Sequence, residues 1–469
     1  MMRSRILALL ICALLLLTSA PVFAQKVAPS VIDEKNVRAE MNFLASDAMQ
    51  GRGSGTGYER IAAEYIGSQF MQFGLEPAGD AGFDGKPTFV QMASITRNSF
   101  AEDPWVKFGS TTLTHGKEMI ASRANSDRLS GPLQKLKIGE KPNPGAVVFV
   151  TLTADAPQSL NQAVAAFLTA GASMVIVPAT AQQQTNWANM AGRRPTFTVN
   201  GTPAKPSATV IVSKDAAATI AALEDGTKIE FGGTLAPPQV SNTWNAIGKI
   251  TGTDAMLASE VILLSSHLDH LGTRDNAPGN DKIFNGADDD ASGSIAVIEM
   301  ARTLGSGKKP KRTVYFVCFG SEEVGGFGAT YFVNNLPFPK EKLVANLEFE
   351  MIGRPDTAVK PDELWLTGYD KSNLGPELAK RGAKLVQDPH PDQNFFQRSD
   401  NYTLARQGII AHTVSSYGLH KDYHQASDEI KTIDFAHMTK SINSMVEPIK
   451  WLINSSFVPV WNAGQNPKQ

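Results

Sequence analysis

Cysteine is nearly missing from these 469 residues, which carry only Cys12 and Cys318. Cys12 falls in an N-terminal apolar run. Without that run Cys318 is alone, so no internal disulfide braces the fold and it must stand on its core. Cys318 sits in Thr313-Val314-Tyr315-Phe316-Val317-Cys318-Phe319, a buried-strand pattern that makes it a small core residue rather than a nucleophile. Excess charge of either sign is also missing. The 44 Lys and Arg against 46 Asp and Glu leave a formal net charge of −2, which excludes the basic footprint of a nucleic-acid binder. Beyond the first run, no stretch reaches the roughly 20 apolar residues of a membrane span. Repeats and low-complexity tracts are absent too.

What is present suffices for packed cores: 42% of residues are hydrophobic and 19% charged, outside the range of global disorder. The chain is too long for one ordinary core and implies two domains, or one with a large insertion. Its start reads as an export signal over residues 1–24. Arg3 and Arg5 precede the apolar run Ile6 to Leu17, and Ser19-Ala20-Pro21-Val22-Phe23-Ala24 offers a cleavage site after Ala24. The expected product is secreted or periplasmic, with no stable membrane insertion.

Residues 25–100 begin with helical periodicity between 32 and 75. It is interrupted by Gly51-Arg52-Gly53-Ser54-Gly55-Thr56-Gly57, which lacks the preceding strand and the lysine of a phosphate loop and reads as a flexible turn. Residues 101–240 change texture. Ala146-Val147-Val148-Phe149-Val150, Met174-Val175-Ile176-Val177, Thr196-Phe197-Thr198-Val199 and Ala208-Thr209-Val210-Ile211-Val212 are short strands, with a helix at Leu160 to Ala170. His115 is the one histidine there, and carboxylates do not cluster, so this stretch reads as a non-catalytic β-rich module. From 241 to 469 strands alternate with helices. Val261 to Ser266 and Thr313 to Phe319 are continuous apolar runs of the parallel-sheet kind, Val344 to Phe349 and Gly408 to Val414 follow, and helices run from Ser294 to Leu304 and from Phe435 to Ile453. The fold class expected is α/β: a mixed, mostly parallel central sheet with helices on both faces, plus the inserted β-rich module.

Six ionisable clusters fall at or near strand ends, where open α/β sheets place ligand sites. They are His267-Leu268-Asp269-His270, Gly286-Ala287-Asp288-Asp289-Asp290-Ala291-Ser292-Gly293, Gly320-Ser321-Glu322-Glu323, Glu348-Phe349-Glu350, Ser399-Asp400 and Tyr423-His424-Gln425-Ala426-Ser427-Asp428. Carboxylates gathered at one end of a sheet repel one another and lose hydration unless a cation neutralises them. Imidazoles mixed with carboxylates suit zinc. Two histidines and three carboxylates exceed the need of one tetrahedral ion and suit two ions sharing a carboxylate.

These motifs resemble the co-catalytic zinc peptidases that include aminopeptidase Y, the bacterial leucyl aminopeptidases and glutamate carboxypeptidase II. The resemblance covers about residues 35–95 and 243–455, and 101–240 is similar to the protease-associated domain often inserted in that family. The resemblance implies a zinc-exopeptidase fold, two Zn2+ and peptide substrates. It implies ligands at His267, Asp289, Glu323, Glu350 and His424, with Asp289 bridging, Asp269 orienting His267, and Glu322 as general base. The chain departs from the family at Glu350, where many members have Asp, and at Gln425-Ala426, where many have Thr-Pro. Removal of N-terminal residues is the activity implied, and an ammonium near the metals calls for spare acids. Asp288, Asp290, Glu348 and Asp400 are candidates, with Asp400 the choice for substrate binding. The alternatives are a carboxypeptidase using Arg354 and Arg398, a one-zinc glutaminyl cyclase, and a non-catalytic binding protein.

Overall fold

The structure, a computed structural model, describes residues 32–151, 160–199 and 205–468. The export signal expected over 1–24 lies outside them. Apolar runs with no polar alternation need cover on both faces, and the sheet they form has it. Ile262, Leu264, Phe316 and Leu347 pack on one side with Met41, Ile66, Ile298 and Ile442, from helices Glu34–Leu44, Gly57–Gln72, Gly293–Gly305 and Phe435–Asn454. Val261, Leu263, Tyr315 and Val317 pack on the other with Phe332 and Leu404, from helices Phe327–Asn334 and Asn401–Ala405. Side chains two apart thus share a face, as the strand period requires.

This sheet has ten strands. Its centre is Ala411–Ser415, Leu343–Phe349, Val261–His267 and Thr313–Phe319, in that order, all parallel. Antiparallel neighbours flank them. Leu364–Leu366 joins one side, carrying Leu385–Gln387, and Gln239–Ile250 and Val90–Ser99 join the other. A second, eight-stranded sheet is built wholly from strands between Trp105 and Gly232. It has its own core, including Phe108, Leu133, Val147, Ile176, Val210 and Phe231. One strand of that stretch, Thr196–Val199, leaves it and pairs antiparallel with Val90–Ser99 of the first sheet. No helix among the described residues is long and apolar enough to cross a membrane.

The parallel centre positions the site. Parallel strands end on the same edge, so the residues at or just past their carboxyl ends (His267, Ser321 to Glu323, and Glu350) are delivered to one place.

Candidate metal centre

Asp289 lies between two sets of donors. Its Oδ1 is 3.2 Å from His267 Nε2. Its Oδ2 is 3.2 Å from His424 Nε2 and 3.8 Å from His270 Nδ1. Glu323 places Oε1 2.8 Å from His270 Nδ1 and Oε2 3.1 Å from His424 Nε2. Two triads can each gather donor atoms within 4.8 Å of one another: His267, Asp289 and Glu350, and His270, Asp289 and Glu323. They share Asp289. All five residues that the family resemblance named as ligands therefore come together, joined by His270.

Buried polar atoms almost always find hydrogen-bond partners. Here both nitrogens of His267 and of His270, with Asp289 Oδ2 and Glu323 Oε1, are buried without a hydrogen bond of acceptable geometry. Donor atoms gathered within 4.8 Å of one another, several of them left unpaired, could hold metal ions. Two imidazoles and three carboxylates, with His270 as a third imidazole, form a donor set suited to zinc.

The electrostatics agree. Burial pushes Glu350 up to about 8, with Glu348 and Asp289 adding to the effect. Burial pushes Glu322 well above the usual carboxylate range against the pull of His267, and Asp400, Glu350 and Glu323 reinforce it. Asp400 rises likewise through burial and then Glu348. The imidazoles lean the other way. Burial opposes a charge on His424, yet contacts with Asp289 and Glu323 raise it to about 9. Burial works to raise Asp289 too, but His267 and His424 hold it well below its ordinary value. A pocket in which carboxylates seek protons and imidazoles seek charge lacks positive charge, and cations supply it.

The other acids of the cluster are engaged. Asp288 Oδ1 accepts from Gly353 N at 2.8 Å, and its Oδ2 meets His420 Nε2 at 2.9 Å. Asp290 Oδ1 accepts from the amides of Gly293 and Met351, and its Oδ2 from that of His267. Glu348 accepts from the Ser399 hydroxyl and the Asn401 amide. Asp400 differs: neither carboxylate oxygen has a hydrogen-bond partner, and it is 1% exposed. Gly326, at φ 65°, keeps that space open, since a Cβ there would lie 2.9 Å from Asp400 Oδ1.

Asp269 stands 3.7 Å from His267 Nδ1, beyond hydrogen-bond reach, and its direct partners lie elsewhere. Its Oδ1 accepts from the Glu322 amide at 3.0 Å, and its Oδ2 from the Ser54 hydroxyl at 2.5 Å. One carboxylate thereby ties three loops together. The glycine-rich segment is not the flexible turn its composition implies. Arg52, fully buried, donates to the carbonyls of Leu44, Leu268, Asn285 and Gly286 at 2.6–2.9 Å. Gly51, at φ 68°, leaves no room for a side chain, since a Cβ would lie 2.2 Å from Phe284 O. Arg52 and Ser54 escaped the sequence reading because a lone arginine among glycines carries no pattern. His270 stands inside His-Leu-Asp-His, but that motif alone assigns it no role.

Asp289, Glu322, Glu350 and His424 line one cavity together with Trp365, Phe395, Tyr417, Tyr423 and Arg398, and the Tyr423 ring stacks on that of His424. Asp400 is absent from its lining. Of the two arginines considered as carboxylate clamps, Arg354 is engaged by Asp422 and Asp428. Arg398 lies over the rings of Phe395 and Tyr423 and donates to the Tyr423 hydroxyl.

Residues 245–447 match the model of Peptidase family M28. Leupeptin-inactivating enzyme 1 of Streptomyces exfoliatus is 30% identical over 238 residues, 48% of this chain and 51% of that protein. Leucine aminopeptidase 2 of Trichophyton rubrum is 30% identical over 177 residues, 36% of this chain and 32% of that protein. The chain thus spans about half the length of the first relative and about a third of the second. Among solved structures, the aminopeptidase from Aneurinibacillus sp. strain AM-1 aligns over 91% of this chain and 95% of its own, with a TM-score of 0.52 at 17% identity, a likeness of fold.

Proposed function

We propose, for a chain that belongs to peptidase family M28 through residues 245–447, that it is an exported exopeptidase removing residues from free peptide N-termini with two bound zinc ions. The observation that carries this reading is Asp289 standing between two sets of donor atoms, several of them unpaired, in the lining of a cavity shared with Trp365, Phe395 and Tyr417. His267, Asp289 and Glu350 would hold one ion, and Asp289, Glu323 and His424 the other. Bound zinc supplies Lewis acidity and a water of lowered pKa.

The chain's own groups supply the rest. Glu322 lines the cavity beside Glu350 and is the general base. It takes the water's proton and passes it to the leaving amine, and burial gives it the proton affinity this task needs. Asp269 fixes the amide of Glu322 and so aims that base. Trp365, Phe395 and Tyr417 offer an apolar wall for a substrate side chain. Asp400, buried without a partner near Glu322 and Glu350, would favour a substrate ammonium in its ionised form, which cations at the metal positions would stabilise. The similarity to leucine aminopeptidase 2 of Trichophyton rubrum supports this direction of attack. We extend the proposal to the export signal over 1–24, with cleavage near Ala24, and to the protease-associated character of 101–240.

Arg398 favours a second reading. A guanidinium in the cavity wall with no carboxylate partner among the described residues could clamp a C-terminal carboxylate. One peptide, assayed free and N-acetylated with mass analysis of the products, separates the two. Loss of cleavage on acetylation supports the aminopeptidase. Equal cleavage, or trimming from the C-terminus, overturns it in favour of the carboxypeptidase. Zinc analysis of the same preparation tests the ion count, and N-terminal sequencing of the exported form tests the signal, which an intact Met1 would refute.

A further inference from the structure

We propose that His270 is a further protein ligand of the metal position formed by Asp289, Glu323 and His424, an assignment that rests on the two-zinc reading above. His270 Nδ1 stands 2.8 Å from Glu323 Oε1 and 3.8 Å from Asp289 Oδ2, yet neither Nδ1 nor Glu323 Oε1 makes a hydrogen bond of acceptable geometry. Two buried lone-pair atoms at that separation, with no hydrogen bond between them, fit ligands of a common centre. His424 reaches Glu323 Oε2 from the solvent side, being 37% exposed, whereas His270 is wholly buried and comes from within. The backbone fixes it there: the His270 amide donates to Arg52 O and its carbonyl accepts from Ser54 N. Gly286 makes room for the ring, since a Cβ at that position would lie 2.5 Å from His270 Cγ.

The consequence is an unequal pair. One position has three protein donors, His267, Glu350 and the shared Asp289, the pattern of a catalytic zinc with an open place. The other has four, His270, His424, Glu323 and Asp289, the number that fills a structural zinc site. The four-donor position loads first and holds its ion more tightly.

The test titrates the full chain, stripped of metal, with Zn2+ against a competing chelator, and records the visible spectrum with Co2+ in its place. Wild-type protein should take two ions with clearly different affinities. In His270→Ala the tighter one should weaken by more than the roughly 10–100-fold that loss of an outer-shell partner costs, and the Co2+ spectrum should shift. In Glu350→Gln the weaker ion should be the one affected. Should His270→Ala fail to fold, as judged by circular dichroism without metal, His270→Gln fills the same space and carries the test. Unchanged affinities and an unchanged Co2+ spectrum in a folded variant would overturn the assignment. Uptake of one ion by the wild type, weakened in the variant, would remove the two-zinc reading and keep His270. Uptake of one ion, unaffected by the variant, would remove both.

Discussion

Replacing Arg52 with Met removes a buried guanidinium whose donors reach four carbonyls, those of Leu44, Leu268, Asn285 and Gly286, at 2.6–2.9 Å. Met fills part of the space but donates nothing. Each buried acceptor left unpaired costs about 1–3 kcal/mol, so four give roughly 4–12 kcal/mol, and water entering the gap brings the expected loss toward the lower end. The charge counts separately. Arg52 lies among Asp269, Asp289, Asp290 and Asp428, whose negative fields support its cationic form against burial. Removing it worsens a shortage of positive charge that zinc would relieve. Urea unfolding followed by tryptophan fluorescence, with chelator and with zinc, should show a loss of about 4 kcal/mol or more that is larger without metal. Arg52→Lys keeps the charge but has too few donors for four carbonyls, and should fall between. A Met variant within about 1 kcal/mol of wild type would refute the view that this residue holds the ligand loops together.

Other consequences are as testable. Glu322→Gln should retain bound zinc and lose about 10²–10⁴-fold in turnover, whereas Glu323→Gln should lose zinc; the opposite pattern would exchange the two roles. Asp400→Asn should raise KM for a free-N-terminal peptide roughly tenfold, worth about 1.4 kcal/mol, with a smaller change in kcat, and an unchanged KM would remove Asp400 from substrate recognition. His412 is fully buried between Ser372 and Thr367, and burial lowers it to about 4. Between that value and the ordinary histidine value of about 6.5 the unfolded chain binds a proton that the folded chain refuses. His412 thus contributes its full stability above about 6.5 and loses it as pH falls through this window, up to roughly 3 kcal/mol. His412→Gln should flatten the loss of urea resistance between pH 6.5 and 4, and an identical pH slope would show that His412 is not responsible.

The fold was legible where hydrophobic patterning was strong. The runs Val261 to Ser266 and Thr313 to Phe319 became the parallel centre because nothing polar interrupts them and both faces are covered. The candidate ligands were legible because His-x-Asp, Asp-Asp-Asp and Glu-Glu fall where strands end. What stayed hidden depends on distance in space. Nothing in the sequence says that Arg52 reaches carbonyls more than 200 residues away, or that Asp288 and Asp290 are used up by backbone amides while Asp400 is left unpaired. His270 lay in a quoted motif, but its closeness to Glu323 is set by the approach of two separate loops.

The strand Thr196–Val199 carries a consequence for dissection of the chain. It belongs by sequence to the stretch that builds the second sheet, yet it covers the outer side of Val90–Ser99 in the first. The two halves are therefore stitched rather than strung. Cutting out residues 101–240 and joining the ends would strip that cover and also remove the start of Gln239–Ile250, the inner partner of Val90–Ser99. The bared strand would present unsatisfied amides and carbonyls to any other copy of itself, the usual origin of edge-to-edge aggregation. A shortened protein that precipitates would thus report on this seam, and a workable truncation would have to keep a covering strand or place charged residues along the new edge.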